Sequence, residues 1–356
     1  MEVQMKKAVF ASVSGLLMAV AVSNLSGPIG AEEECLPAAG FSYVCGPLGA
    51  EDLVRVSGTH WVIGSGMGET DNPGKLHLID TEKKNWETLY PGSEIKSELD
   101  AKSYPACTGP PNTKSFGAHG IAVRDDGNRK STLLAVNHSR EAIEVFQLDT
   151  AGEKPAIRWT GCVPMDENIY VNSVAFLPDG GLVFTKFFDP REPGGFGSIM
   201  EGKATGGVYE WHVKTGITPI AGTELAGANG IVVSKDGGSI FVSAWGTREL
   251  VRFTRHNGTV EKNAVKLDFH PDNLRWAHDG KILVAGQIPA SDAAGGFKAF
   301  KGWAVVKLDP ETLELTEVVR DQGESPLQNA SVAIDVDGIL WIGSFRSDRV
   351  AYKRIN

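Results

Sequence analysis

The chain has 356 residues, of which 22% are charged and 42% are apolar, a composition typical of soluble globular proteins. Its formal net charge of -9 at pH 7 argues against nucleic acid as a partner, because phosphate binding requires a basic surface. The same charge is compatible with the binding of a cation.

The first 31 residues have the layout of a secretory signal peptide. Lys6 and Lys7 precede an apolar stretch over 8–23, and small residues follow it. The alternative is an uncleaved membrane anchor, but the apolar stretch is short for a bilayer span of about 20 residues. We therefore expect a secreted or periplasmic protein, without a stable membrane span after cleavage, whose residues 32–356 form a single domain.

Four cysteines follow this segment, namely Cys35, Cys45, Cys107 and Cys162. An even number of cysteines in an exported protein indicates disulfides. Four cysteines allow three pairings, and their positions alone do not choose among them.

Short apolar runs separated by Asp-Gly pairs fill the rest of the chain, and helical periodicity is nearly absent. Asp-Gly between two apolar runs is a hairpin signal. The same layout opens six times, at Glu51, His119, Asn172, Asn229, Asn273 and Ala330. Successive openings lie 44 to 68 residues apart (273 − 229 and 119 − 51), enough for four short strands. The sequence predicts an all-β six-bladed β-propeller with four-stranded blades; an open two-sheet sandwich would not explain the repeated openings.

Polar side chains stand at the openings of the predicted inner strands. In a propeller these strands begin beside the central axis, so residues far apart in sequence converge there. The set comprises Glu51, His119, Asn172, Asn229, Asp272 and Asn273. Two carboxylates and three amides provide the oxygen ligands that calcium prefers, whereas structural zinc favours Cys and His. Each residue singly could form a turn, but the whole set predicts a metal site in the central channel.

Seven stretches of the chain carry a family resemblance. In order they are GAEDLV (Gly49–Val54), AHGI (Ala118–Ile121), VNH with IEVF (within Val136–Phe146), VNSVAF, ANGIVVS, PDNLRW and SVAIDVDGILWIGSF. In this order they resemble the paraoxonase/arylesterase family and, more distantly, the gluconolactonase–regucalcin group. The ordered set is more specific for the fold and the central metal than for the substrate.

The resemblance implies a calcium ion at the top of the central tunnel. Its side-chain ligands would be Glu51, Asn172, Asn229, Asp272 and Asn273. The histidine pair of the family matches His119 and His138. Paraoxonases hydrolyse lactones and aryl esters, so the resemblance implies this reaction class and a small-molecule ester or lactone as substrate.

The sequence departs from the family in two places. Ser173 stands where the family has a carboxylate that helps to hold a second, structural calcium, although Asp52 is retained. No cysteine follows Cys162, so the family disulfide between the N-terminal strand and the last blade is missing. Cys107 and Cys162 lie 12 and 10 residues before blade openings (119 − 107 and 172 − 162), so we expect them to pair, which leaves Cys35 for Cys45.

We expect His119 to act as general base, with the calcium ion polarising the carbonyl and His138 orienting His119 or relaying its proton. Asp272 as base or nucleophile is the competing mechanism. Aromatic residues and one arginine at the ends of second strands are candidate pocket walls: Phe187, Phe188, Trp245, Phe345 and Arg346. Two other functions stay open: a non-catalytic binding or scaffold propeller with a structural cation, and an amine–aldehyde condensing enzyme like the strictosidine synthases, which use a catalytic Glu.

Overall fold

Twenty-five strands and one short helix make up the fold of the computed structural model, which describes residues 35–68, 73–92, 95–256, 258–290 and 300–355. In chain order the elements are β1 (Ser42–Cys45), β2 (Ala50–Arg55), β3 (Trp61–Gly66), β4 (Lys75–Asp80), β5 (Asn85–Tyr90), β6 (Lys96–Ser97), β7 (Ala118–Gly127), β8 (Lys130–Asn137), β9 (Ala142–Asp149), β10 (Ala156–Pro164), β11 (Tyr170–Phe176), β12 (Leu182–Phe188), α1 (Gly195–Met200), β13 (Gly207–His212), β14 (Gly216–Pro219), β15 (Ala228–Val233), β16 (Ser239–Ala244), β17 (Glu249–His256), β18 (Thr259–Lys266), β19 (His270–Trp276), β20 (Ile282–Pro289), β21 (Phe300–Leu308), β22 (Leu315–Asp321), β23 (Ala330–Val336), β24 (Ile339–Ser344) and β25 (Arg349–Arg354). The predicted signal peptide lies outside the described residues.

The strands form six sheets, antiparallel apart from one short edge strand in blade two, which are the blades of the predicted propeller. Blades one, three, four and five are consecutive four-stranded meanders: β2–β5, β11–β14, β15–β18 and β19–β22. Blade two contains β7–β10 in the same order and adds the short β6, which lies parallel to β10 at its outer edge. The prediction of six four-stranded blades is confirmed, with one extra outer strand in blade two.

The sixth blade joins the two ends of the described chain. Its strands β23, β24 and β25 are followed outward by β1, and Ser42 pairs with Tyr352 while Cys45 pairs with Arg349. An N-terminal strand in the last blade closes the ring without a covalent link, so few sheet edges remain exposed.

Apolar side chains seal each interface between neighbouring blades. Both faces of a blade are covered by other blades, which explains why the strands carry continuous apolar runs rather than strict alternation. The closing interface illustrates this arrangement: Leu53 and Val62 of blade one pack with Val332 and Trp341 of blade six, all fully buried. Equivalent clusters join the other five pairs of neighbours.

Two disulfides cross-link the described chain, Cys35–Cys45 and Cys107–Cys162. The second spans 55 residues, so it ties the connection before blade two to the strand β10 of the same blade. Both predicted pairings are confirmed. Among the described residues there is no helix long and apolar enough to cross a membrane.

Candidate functional site

A β-bulge opens the inner strand of every blade. In all six blades the pairing between the first and second strands skips one or two residues just after the inner strand begins. The skipped positions hold Glu51, His119, Asn172, Asn229, Asp272 and Asn273, together with Gly120, Ser173, Gly230 and Ser331. A bulge releases a residue from the ladder and changes the direction of its side chain. In blades one to five the inner strand begins one to three residues before the predicted opening, and this offset places the polar residues at the bulges; in blade six the strand begins at the predicted opening, Ala330.

Two glycines let neighbouring inner strands approach closely at these bulges. A Cβ atom on Gly120 would lie 2.3 Å from the carbonyl oxygen of Asn172, and one on Gly230 would lie 2.4 Å from that of Asp272. Both distances are far below van der Waals contact. The glycine that follows the polar residue in AHGI and ANGI is therefore required by the packing of adjacent blades.

The bulges bring four of the five predicted metal ligands to one central cavity of about 220 Å³. Glu51, Asn172, Asn229 and Asp272 line it, and His119 lines it with them. Asn273 is not part of the lining, but its amide Nδ2 donates to Glu51 Oε1 at 2.6 Å. All five predicted ligands are 5% exposed or less.

Four buried oxygen atoms of this set accept no hydrogen bond from any described residue. They are Glu51 Oε2, Asn172 Oδ1, Asn229 Oδ1 and Asn273 Oδ1. An unsatisfied buried oxygen costs about 1–3 kcal/mol, so four in one region need a compensating partner. Carboxylate and amide oxygens are the donors that a hard divalent cation accepts, so this set fits calcium. The described residues contain no group of three or more His, Cys, Asp or Glu side chains placed to hold a metal, so the fit depends on the asparagines.

The two carboxylates of the set have strongly perturbed acidities. Burial raises the pKa of Glu51 well above its ordinary value, and the neighbouring charges of Asp52 and Asp272 raise it further. Burial also raises the pKa of Asp272 to about 7, although hydrogen bonds from Gln287 and Asn229 oppose the shift. The charge of Arg275 only partly offsets this shift at Glu51. A divalent cation would supply the positive charge that stabilises both ionised carboxylates.

A fully buried glutamine holds Asp272 in place. Gln287 donates through Nε2 to Asp272 Oδ2 and to the carbonyl oxygen of Ala330, both at 2.8 Å, and accepts from the indole of Trp245 at 3.0 Å. With all its neighbours fixed, Gln287 leaves little rotational freedom to the Asp272 carboxylate. Sequence reasoning did not identify this residue, although a glutamine in the apolar run ILVAGQIP of β20 was a visible signal.

An arginine compensates the charge of Asp52, the other acid of blade one. Arg275 of blade five forms an ion pair with Asp52 and donates to the carbonyl oxygens of Leu53 at 2.9 Å and Ile121 at 2.8 Å. Asp52 also accepts from the backbone N–H groups of Leu53 and Ile121. Asp52, which the family resemblance would give to a second calcium, thus has a cationic partner within the chain.

The two predicted histidines are in direct contact. His119 Nδ1 lies 2.5 Å from His138 Nε2, and His119 Nε2 lies 3.7 Å from Glu51 Oε1. Burial and then the neighbouring His138 lower the pKa of His119 well below its ordinary value, so its ring is neutral at pH 7. His138 stands behind His119 rather than in the cavity lining, and its ring stacks on Tyr170 at 4.1 Å.

Apolar side chains form the remaining walls of the cavity. Four of the five predicted wall residues are present: Phe187, Phe188, Trp245 and Phe345. Arg346 is not among the lining residues and lies instead beside a separate polar cavity near Trp303. The sequence did not indicate three further wall residues, Met67, Tyr170 and Phe196, the last of which lies on α1.

Comparison with protein-family models gives no match for this chain. A curated relative, Protein STRICTOSIDINE SYNTHASE-LIKE 6 of Arabidopsis thaliana, is 24% identical over 230 residues, which cover 63% of this chain. The match spans 55% of that relative, so the chain corresponds to about half of its length.

Three solved structures show the same fold at low sequence identity. A candidate gluconolactonase has a TM-score of 0.55 at 16% identity, over 90% of this chain and 94% of its own. The calcium-binding protein regucalcin from Agrobacterium tumefaciens has a TM-score of 0.52 at 13% identity, with the same coverage. A luciferin-regenerating enzyme has a TM-score of 0.54 at 12% identity, over 88% of this chain and 92% of its own. The chain is therefore a six-bladed β-propeller of the type seen in the gluconolactonase and regucalcin structures.

Proposed function

We propose that the protein is a calcium-dependent hydrolase of lactones or aryl esters. The observation that carries the proposal is the group of four unpaired buried oxygens beside Asp272, at a cavity whose other walls are apolar. Such a cavity offers oxygen ligands for a cation on one side and an apolar surface for a substrate on the other. The solved structures of similar fold include a candidate gluconolactonase, which supports a lactone as the substrate class.

The cation would be held by Glu51, Asn172, Asn229, Asp272 and Asn273. Two carboxylates match the charge of a divalent ion, and the three amides add neutral oxygens. When bound, calcium supplies a Lewis acid that polarises an ester carbonyl and stabilises the oxyanion that develops on it. Gln287 and Asn273 orient the two carboxylates through the hydrogen bonds described above.

His119 is the general base of the proposed reaction. Its ring lines the cavity, is neutral at pH 7 and has a nitrogen, Nε2, on the side of Glu51. A water molecule that donates a proton to His119 Nε2 becomes a hydroxide able to attack the acyl carbon. His138 contacts the other ring nitrogen and so keeps the imidazole in this orientation.

The aromatic walls favour an apolar substituent on the substrate. Phe187, Phe188 and Trp245 surround the cavity on the side of blades three and four, with Phe196 of α1 beside them. Burial of such a substituent would supply about 25 cal/mol per Å² of apolar surface. The two disulfides support a location outside the cytoplasm, in agreement with the expected signal peptide.

A condensation of an amine with an aldehyde is the second candidate, favoured by the match to a strictosidine synthase-like protein. Such a reaction would use a carboxylate without a metal, and Glu51 and Asp272 are the carboxylates at the cavity. A non-catalytic binding propeller is the third candidate. The three functions differ in their need for the cation, because only the hydrolase requires it for turnover.

Metal analysis of the purified protein and a panel of lactones and aryl acetates test the proposal. We expect about one calcium per chain and turnover that stops on addition of a chelator and returns with calcium. Turnover that persists without metal would exclude the proposed mechanism. A protein that binds calcium but hydrolyses no member of the panel would favour the binding propeller.

Asp272→Asn is expected to weaken calcium binding at least about 20-fold. The substitution keeps the shape and the bond from Gln287 but removes one of the two negative charges. At a calcium concentration of 100 times the wild-type Kd, the wild type should gain about 2.7 kcal/mol of stability and the variant about 1 kcal/mol or less. Because a proton competes with the cation at Asp272, whose pKa is about 7, wild-type affinity should rise as the pH passes through 7, and this rise should be shallower in the variant.

Asp321→Asn is the matched control. Asp321 lies in the same blade, has the same exposure of 5% and accepts hydrogen bonds from the backbone of Gly323 and Ser325. Its replacement should leave the calcium-induced stabilisation unchanged. Equal calcium stabilisation in Asp272→Asn and in the wild type would remove Asp272 from the ligand set.

A further inference from the structure

A glutamate at the turn between β8 and β9 extends the histidine pair to a chain of three groups. Glu141 Oε1 lies 2.6 Å from His138 Nδ1, and His138 Nε2 lies 2.5 Å from His119 Nδ1. Its other oxygen, Oε2, accepts a long hydrogen bond of 3.4 Å from the backbone N–H of Val171. The side chains become less exposed from Glu141 (26%) through His138 (17%) to His119 (9%).

We propose that Glu141 is a positioning residue that sets the tautomers of both histidines and thereby makes His119 Nε2 the basic atom of the cavity. This inference rests on the proposed function, since it names a further part of the same site. It assigns to Glu141 no contact with substrate or metal.

The tautomers follow from what each atom can donate or accept. An ionised carboxylate only accepts, so the proton between Glu141 and His138 belongs to His138 Nδ1. The neutral His138 ring then has a lone pair on Nε2, which accepts a hydrogen bond from the N–H at His119 Nδ1. His119 in turn has its lone pair on Nε2, the nitrogen that lies on the side of Glu51. Without the carboxylate, both rings could take the opposite tautomer, and His119 would then present an N–H to the cavity.

The same three hydrogen-bonded side chains provide a path for the proton that the base receives. A proton passes from water to His119 Nε2, while the proton on His119 Nδ1 moves to His138 Nε2. His119 is then neutral again, and the positive charge lies on His138, in contact with the Glu141 carboxylate. When the tetrahedral intermediate collapses, the reverse transfers return the proton to the leaving alkoxide. The three side chains therefore end the cycle in their starting protonation states.

The turn geometry by itself does not call for a glutamate. Glu141 has a left-handed backbone with φ of 40°, and Arg248 has φ of 57° at the residue before the third strand of blade four. Since an arginine occupies the corresponding turn, the acidic side chain in blade two is explained by its contact with His138. Tyr170 stacks on the His138 ring with an interplanar angle of 10° and so holds its plane for this contact.

Glu141→Gln is the variant that tests the role of the carboxylate. In glutamine the side-chain oxygen can keep the bond from Val171, which turns the amide NH₂ towards His138 Nδ1. That NH₂ group donates, so it favours the tautomer with the proton on Nε2 of His138. We expect kcat to fall by about 10- to 100-fold, less than the loss of the base itself would cause because Glu141 acts only through His138, with KM changed less than about threefold.

Nitrogen-15 NMR of the histidine rings provides a readout that is independent of activity. The chain has eight histidines, and single His→Gln variants assign the signals of His119 and His138. The wild type should show the proton of His138 on Nδ1, and the variant should show it wholly or partly on Nε2. This measurement needs no substrate, so it decides the role of Glu141 even if the wild type hydrolyses no ester, a result that would defeat the proposed function alone.

Glu210→Gln is the matched control. Glu210 of blade three is exposed to a similar extent (23%) and pairs with Arg255 of blade four rather than with a histidine. It should keep the wild-type tautomers, kcat and KM. The proposal is overturned if wild-type His138 has its proton on Nε2, or if Glu141→Gln keeps both the wild-type tautomers and the wild-type kcat.

Discussion

Replacement of His119 with glutamine is expected to lower kcat for ester or lactone hydrolysis by about 10³-fold, within the range that general base catalysis contributes. Glutamine can still form a hydrogen bond with His138, but it takes up no proton at pH 7. Because the ring is neutral in the wild type, its loss removes the base without changing the charge of the cavity. KM and calcium binding should therefore change little, and steady-state kinetics with metal analysis would measure both.

His77→Gln is the control for this variant. His77 is 2% exposed, its Nε2 lies 3.1 Å from the carbonyl oxygen of Leu48, and burial lowers its pKa to about 4. It is another buried, neutral histidine in the same propeller but away from the cavity lining, so its variant should keep the wild-type kcat. Retention of most activity in His119→Gln would show that His119 is not the essential base and would favour Asp272 as base or nucleophile.

Arg275→Met is expected to lower the free energy of unfolding by about 3–5 kcal/mol, the usual cost of breaking a buried ion pair from one side. The variant leaves the Asp52 carboxylate, which is fully buried, without its cationic partner. It also removes hydrogen bonds to the carbonyl oxygens of Leu53 and Ile121. Since these residues belong to blades one and two and Arg275 to blade five, the loss affects the packing around the central channel. Urea denaturation measures the change.

Arg55→Met provides the comparison for an exposed pair. Arg55 binds Asp337 through two hydrogen bonds of 2.9 and 2.8 Å, but the side chains are 34% and 72% exposed. An exposed pair contributes about 0–1 kcal/mol, so this variant should be nearly as stable as the wild type. Equal stability of the two variants would mean that the Asp52–Arg275 pair contributes no more than a surface pair.

Local sequence patterns were sufficient to predict the blades. Apolar runs separated by Asp-Gly define hairpins through interactions between residues close in the chain, so the prediction of four-stranded units did not require knowledge of distant contacts. The sixth blade shows the limit of such patterns. Its outer strand β1 pairs with β25 from the opposite end of the chain, and no local signal in Ser42–Cys45 specifies that partner.

In the candidate site, too, some features follow from the local sequence and others only from the fold of the whole chain. The sequence by itself determined which polar residues open the inner strands, because a repeat places equivalent residues at equivalent points. Only the tertiary structure decided what those residues contact: Asn273 meets Glu51 across 222 positions, and Arg275 meets Asp52 across 223. Hydrogen bonds and ion pairs depend on distances of about 3 Å and on direction, which strand propensity and spacing do not specify. Closure of the six blades around one axis sets those distances, and it is a property of the whole chain.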